Sequence, residues 1–458
     1  MRAGEALRRA FSTFLAVPTI VIVTFVLLAV ATYILDTAQI AWLRPIRGFL
    51  EVHIFANAES TGNLLATIAG GLIALTSITF SLLLLALQQS AASMTHEVLD
   101  QFLRRRLNQF YLGFFVGLVL FALITLATVD PTFNPIFGAT LALVLVLAAL
   151  YVLLLLIYST IGQMRPTEII RSIHDLTLAA RVRQLSLVRK TRRAPRLPDT
   201  EAVPVAATQD GFVVGYDLRA IATAIDSAVA PVEVVLLLPV GSYAAFRDPL
   251  AEVRARRRED AAAVAAMVGT AVQIDHQRRL KDDAAFGIVQ IETIAWRSIS
   301  TSQQNPAPGL VAIRNLRDIL SRWSAEGGLG SDESQLPIVY PDDVMARLMT
   351  AFESLAVVAS ESMQHQTYSE VLRTISITFE RLPAAQQQRA VDLVLRILSA
   401  LGDFVLTDEL DTALLQLAAA LEQARQIDAA AAVRTARAEL AASIGNLNSR
   451  STRVTRSG

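Results

Sequence analysis

Cysteine is absent from the 458 residues, which excludes disulfides, thiolate metal ligands and cysteine nucleophiles together. Lysine is almost absent: Lys190 and Lys281 are the only two, and every other base is arginine. Charge is scarce, at 18% of residues against about a quarter in an ordinary soluble domain. Hydrophobic residues make up 53%, and mean hydropathy is +0.45. This balance points to long apolar segments rather than one large core. Bases and acids number 41 each, so no excess of positive charge announces a nucleic-acid partner, and none is expected.

Four stretches carry about 20 apolar residues without a formal charge: Ala16–Leu35, Leu64–Leu87, Phe110–Val129 and Ile136–Ile161. A backbone amide in lipid needs a partner within its own segment, so all four are expected to be helices. Arg2, Arg8 and Arg9 before the first run, with Ala29 and Ala31 near its end, also fit a signal peptide. The run is longer than a signal core and three more follow, so it reads as a retained anchor.

Arginine sets the expected orientation. Arg104, Arg105 and Arg106 follow the second span, and a basic run from Arg165 to Arg196 follows the fourth. The segment from Asp36 to Asn63 holds only Arg44 and Arg47, and Asp130–Pro135 holds no base. Positive residues stay inside, so both termini are expected in the cytoplasm of a multi-pass inner-membrane protein.

The second span is polar along one face. Thr67, Ala74, Ser81 and Gln88 recur every seven residues, with Gly70, Ser77 and Ala91 interleaved. One reading is helix packing, since small residues let membrane helices approach closely. The other is a pore wall, hydrated when an oligomer turns the stripe toward its axis. The Arg104–Arg106 cluster reads as a topology anchor at anionic lipid or, in a ring, as an anion-favouring mouth. No Asp, Glu or His lies within the spans, which argues against a proton- or cation-coupled transporter.

Beyond residue 162 the expected order is a basic helix and linker (163–200), a β-rich module (201–256), a helical region (257–325), a linker (326–341), a helical domain of about five helices (342–446) and a disordered tail (447–458). The run from Asp210 to Leu250 is similar to the barrel-sandwich fold of biotinyl and lipoyl carriers. Such carriers need a hairpin-tip lysine, and none stands between Lys190 and Lys281. The fold class is thus a four-helix membrane domain plus a cytoplasmic α+β region: a barrel-sandwich-like module and a C-terminal helical bundle.

Chemistry is sparse. Gly327, Gly328 and Gly330 follow no strand and precede no lysine, so they make no phosphate loop. His53, His96, His174, His276 and His365 stand singly, without the spacing of a metal site. Asp282 and Asp283 beside Arg278, Arg279 and Lys281 read as a solvated turn or a polar site. No serine sits in a nucleophile elbow. Neither catalytic residues, a metal nor a cofactor is expected.

The second span with its tail, the aromatic third span, and the run Asp283-Ala284-Ala285-Phe286-Gly287-Ile288-Val289-Gln290 resemble a bacterial family of predicted membrane proteins, the domain of unknown function 2254. The resemblance covers roughly residues 10–325 and, more weakly, the helical C-terminus. It implies a loop after the Phe-Gly-Ile helix, running Ser-Pro and then Asn-Asp-Pro. Gln290, Arg297, Ser300 and Pro306 fit that pattern. Gln304 and Asn305 replace its Asn and Asp, and Thr301 replaces its first proline, so an acid-dependent role of the loop would be lost or altered here. The family implies fold and location rather than an activity.

Two functions remain in view. The first is a homo-oligomeric, passive ion-conducting channel lined by the second span and regulated by its cytoplasmic part. The second is a membrane-anchored scaffold or sensor that binds a cytoplasmic protein partner through residues 342–446.

Overall fold

The computed structural model describes residues 15–38, 43–93, 106–163, 166–197, 200–300, 305–325, 336–401 and 404–443. Arg104, Arg105, Gln304, the 326–335 part of the expected linker and the 447–458 tail lie outside them. The chain divides into two compact units between Arg165 and Pro166.

The first unit holds helices α1 (Ala16–Thr37), α2 (Arg44–His53), α3 (Ala58–Ser93), α4 (Arg106–Ala127) and α5 (Ile136–Gln163). All but α2 contain a stretch long and apolar enough to cross a bilayer. The central one is α4, which packs against α1, α3 and α5. Half of its apolar window is buried, against about a fifth in the others. Phe115, Leu118 and Phe121 fill the core from α4, meeting Leu65 and Leu72 of α3 and Ala149 and Leu156 of α5.

The approach of α1 to α4 is set by the pair Gly113 and Gly117. A β-carbon at Gly113 would stand 2.7 Å from the Cα of Pro18, and one at Gly117 would stand 2.6 Å from Cδ2 of Phe25. This is small-residue packing in the sense that apolar helices need when no water drives them together. At one end of the unit the buried Asp36 accepts hydrogen bonds from the backbone N–H groups of Phe137 and Gly138, at 3.0 and 3.1 Å. Its carboxylate thereby serves the orphan donors at the start of α5.

The second unit opens with α6 (Pro166–Lys190) and continues β1 (Ala202–Ala206), β2 (Gly211–Tyr216), α7 (Leu218–Asp226), β3 (Val232–Leu236), β4 (Tyr243–Ala244), β5 (Pro249–Ala255), α8 (Arg258–Ala271), β6 (Val272–Asp275), α9 (Ala284–Ile299), α10 (Pro306–Ser324) and β7 (Ile338–Val339). Two sheets form, in the orders β1-β5-β3-β7 and β4-β2-β6. Every pairing is antiparallel except β3 with β7, where Val234 aligns with Ile338.

The barrel-sandwich expectation requires correction, because neither sheet closes into a barrel. The larger sheet buries Val205, Val234 and Val253 together with Val264 and Val268 of α8, so a helix covers the face that a second sheet would cover in a sandwich. Its last strand, β7, comes from the segment read as a linker, and β6 comes from the region read as helical. Glu233, on β3 and 1% exposed, accepts from the backbone N–H groups of Arg196 and Leu197 and pairs with Arg192 at 3.2 Å. The basic linker is thus tied down by one buried carboxylate.

Five helices complete the unit: α11 (Val344–Glu361), α12 (His365–Thr378), α13 (Ala384–Leu398), α14 (Asp408–Gln423) and α15 (Ile427–Ser443). Here α11 packs on α12 and α13, α12 on α14, and α13 and α14 on α15, with α11 also against α9.

Candidate functional site

Helix α3 has 36 residues. At 1.5 Å per residue it is about 54 Å long, well beyond the roughly 30 Å of a hydrocarbon core. One face is committed to the fold: Leu65, Ile68, Ala69, Leu72 and Thr79 are buried. The opposite face carries Thr67, Gly70, Ala74, Ser77, Ser81 and Gln88, and all six are exposed. Apart from the helix's own adjoining backbone, no atom of the described residues lies within 4 Å of the β-carbon position of Gly70 or of its neighbour Gly71.

The hydroxyls of this face are internally satisfied. Thr67 donates to the carbonyl of Asn63 at 2.9 Å, Ser77 to Ile73 at 3.0 Å, and Ser81 to Ser77 at 2.9 Å. The stripe therefore needs no water to exist in a membrane, and it forms a strip of small residues flanked by the exposed Ile73, Ile78, Leu84 and Leu85. On α5 the outward residues include Leu147, Tyr151 and Leu154, the bulk that acyl chains accept. Of the basic cluster, Arg106 is the first residue of α4, while Arg104 and Arg105 lie outside the described residues.

The run from Asp283 to Gln290 has a structural explanation. Asp283 caps α9, accepting from the N–H of Phe286 at 2.9 Å, and it is 3% exposed. Arg278 holds it with Nε and Nη2, both at 2.8 Å from Oδ2, and lies 4.5 Å above the Phe286 ring. Burial pushes the Asp283 carboxyl above the usual carboxylate range, against the pull of Arg278 and the capping N–H groups. The sequence alternative of a solvated turn therefore fails for Asp283, while Asp282 and Lys281 remain partly exposed. Gly241, at φ +96°, is what lets the chain pass here: a β-carbon would stand 2.5 Å from Nη2 of Arg278.

Of the family-like loop residues, Asn305 returns to the end of α9, its N–H donating to the Ser298 carbonyl at 3.1 Å, while Gln290 stands apart along the helix. Gln290 is buried within α9, ten residues and about 15 Å of helix before Ser300. Arg297 is exposed, and Ser300 ends the helix with its hydroxyl on the Arg297 carbonyl. Asn305 caps α10 by accepting from the N–H of Ala307 at 3.3 Å, and Pro306 takes the first helical position, where its missing donor costs nothing. Gln304 is outside the described residues.

Sequence reasoning missed the role of His174, which is buried between Asp318 at 2.8 Å and Asp175 at 3.0 Å. The two aspartates lie far apart in the sequence, so no spacing could reveal the arrangement. Among the described residues no three His, Asp or Glu side chains are grouped as a metal site would require.

Comparison with known proteins adds one finding. No significant match appears among curated proteins or among solved structures. The model of one family, described as predicted membrane protein (DUF2254), matches residues 12–369. That span takes in the four apolar helices, both sheets and the Phe-Gly-Ile helix. The chain is accordingly a member of the DUF2254 family of multi-pass membrane proteins.

Proposed function

We propose that this chain forms a homo-oligomer in the bacterial inner membrane, with both termini cytoplasmic, and that α3 lines a passive ion-conducting path regulated by the C-terminal unit. One contrast carries the reading. In α4 the glycines are filled against a neighbour, whereas the small residues of the α3 stripe are exposed, and Gly70 meets no neighbouring element among the described residues. Acyl chains have no need of a stripe of small residues; a second copy of α3 does. Copies arranged about an axis with this face inward would line it with Thr67, Ser77, Ser81 and Gln88. Conduction without coupling agrees with spans whose carboxylates stand only at their ends, Glu59 in the first turn of α3 and Asp36 committed to the backbone N–H groups of Phe137 and Gly138. The proposal assigns no catalysis and no cofactor.

The absence of native cysteine makes the assembly directly testable. Ala74→Cys and Ser77→Cys should form disulfide-linked dimers in membranes, while Tyr151→Cys, exposed on α5, should not. A monomer in native nanodiscs, or equal crosslinking at all three positions, would overturn the oligomer. Conduction is read separately, as ion flux into liposomes. Ser81→Trp and Gln88→Trp should block flux in protein that still assembles, and flux insensitive to both would remove α3 from the path.

The scaffold alternative calls for an apolar docking surface between residues 342 and 446. Large apolar side chains exposed there, such as Val357, Ile377, Leu395, Leu415 and Ile427, occur one to a helix, as on ordinary soluble surfaces. They give that reading no particular support.

A further inference from the structure

A cleft of about 430 Å³ opens in the second unit between the last turns of α6 and the β2–α7 junction. Its size falls within the range of small-molecule sites. Gln184 of α6 lines it, yet is only 6% exposed, and neither its amide nitrogen nor its carbonyl oxygen has a hydrogen-bond partner among the described residues. A buried carboxamide with both ends unsatisfied is rare in a folded protein, because each group has given up water without replacement. What satisfies it must bring an acceptor and a donor side by side.

Charge in the cleft is unevenly committed. Arg183 donates from Nε to the carbonyl of Lys281 at 2.8 Å and lies 3.5 Å from Asp282. Asp217 is occupied in capping α7, accepting from the N–H groups of Arg219 and Ala220, each at 3.1 Å. Lys190 and Arg219 also line the cleft, and neither has an ion-pair partner among the described residues. Both lysines of this arginine-rich chain thus belong to this corner: Lys190 in the wall, Lys281 through the carbonyl that holds Arg183. The Tyr216 wall is fixed, its hydroxyl donating to the Leu238 carbonyl and its ring set edge-on to Tyr340 at 6.1 Å.

We propose that this cleft binds a nucleoside phosphate, its base edge on the Gln184 carboxamide and its phosphate at Lys190 and Arg219. A glutamine amide matches the adjacent donor and acceptor of a base edge, as it does with adenine. Gln184 and Lys190 are six residues apart on α6, about 9 Å along its axis, comparable to the reach from base to phosphate in a mononucleotide. Helix α6 begins three residues after α5 ends, so the ligand would occupy the first element to follow the last membrane helix. The assignment is independent of whether α3 conducts.

The test is calorimetric titration of the full-length protein in nanodiscs with the four common nucleoside 5′-monophosphates, and with inorganic phosphate as control. At least one nucleotide should bind saturably and about tenfold tighter than phosphate, and Lys190→Ala or Arg219→Ala should each weaken it by about tenfold. Both side chains are exposed, so neither change threatens the fold. Gln184→Met should abolish discrimination among the bases while leaving thermal stability equal or raised, because it removes an unpaired buried amide. No saturable binding by any nucleotide would overturn the proposal. So would phosphate binding as tightly as the nucleotides, or nucleotide binding unaltered in the Lys190→Ala/Arg219→Ala double variant.

Discussion

Gly287 of α9 is pressed against Thr177 of α6, so that a β-carbon at position 287 would lie 2.8 Å from Cβ of Thr177 and closer still to its hydroxyl oxygen. Thr177 has no room to yield, being fully buried with that hydroxyl donating to the Ile173 carbonyl at 2.6 Å. The glycine of the Phe-Gly-Ile run is therefore a helix-contact residue. Gly287→Ala should destabilise the second unit by roughly 1–3 kcal/mol, despite alanine's better helix propensity. Pairing it with Thr177→Ala should restore part of the loss. Thermal unfolding of the two variants and their combination checks both statements, and an additive result would show that the contact is not the cause.

How much of this was readable in the sequence depends on whether the cause was local. The spans were readable because an uncharged apolar run of membrane length has few other uses, and the helices carry them to within a few residues. The caps Asp217, Asp283 and Asn305 precede their helices in the usual way. What failed was non-local. Strand β7 is only two residues, Ile338 and Val339, too short to show alternation, and its partner β3 lies about a hundred residues earlier. The burial of Asp283 depends on Gly241 arriving from another loop. The Gly113-x-x-x-Gly117 pair is a recognisable motif, but nothing local says that it meets Pro18 and Phe25. Of the candidate site, the stripe was legible and its exposure was not, because periodicity groups residues on a face without saying what that face meets.

Glu370 gathers three arginines. The carboxylate, on α12 and 3% exposed, lies 3.2 Å from Arg314, 3.5 Å from Arg317 and 3.3 Å from Arg373. Removing it leaves three guanidiniums near one another at the α10–α12 contact, of which only Arg373 keeps a carboxylate among the described residues, Glu409 at 3.9 Å, so Glu370→Ala should cost roughly 3–5 kcal/mol. Arg314→Ala should cost much less, since two arginines remain and Arg314 is half exposed. Equal losses in chemical denaturation would contradict this accounting.

The buried Asp283 predicts a particular pH dependence. Its carboxyl titrates above the unfolded value of 3.8, because burial outweighs Arg278 and the helix-cap donors. A carboxyl raised on folding binds its proton more tightly in the native state. Its contribution is then fully present below the unfolded value and is lost as pH rises through the folded one. Asp283→Asn, which carries no charge, should lack this component. The stability difference between wild type and variant should therefore shrink as pH is raised from about 3 to 7. A difference that grows over that interval would mean that the Arg278 pair, rather than burial, dominates the site.

The membrane unit offers the sharpest separation between folding and assembly, through two glycines with opposite surroundings. Gly113 of α4 faces Pro18, whose Cα and carbonyl oxygen would stand 2.7 and 2.9 Å from an added β-carbon. Those are backbone atoms, so no rotamer change relieves the clash, and α1 must move away. Gly113→Val should weaken the protomer by roughly 1–3 kcal/mol, seen as a lower unfolding temperature in detergent. Gly70 of α3 faces open space. Gly70→Val should leave the protomer's thermal stability within about 0.5 kcal/mol of wild type, as a substitution away from packed features does. If copies meet along α3, the same change must separate them, because close helix approach depends on that missing side chain. Size distribution in native nanodiscs reads this outcome directly. Oligomers that survive Gly70→Val unchanged would put the α3 stripe against lipid and require a subunit contact elsewhere.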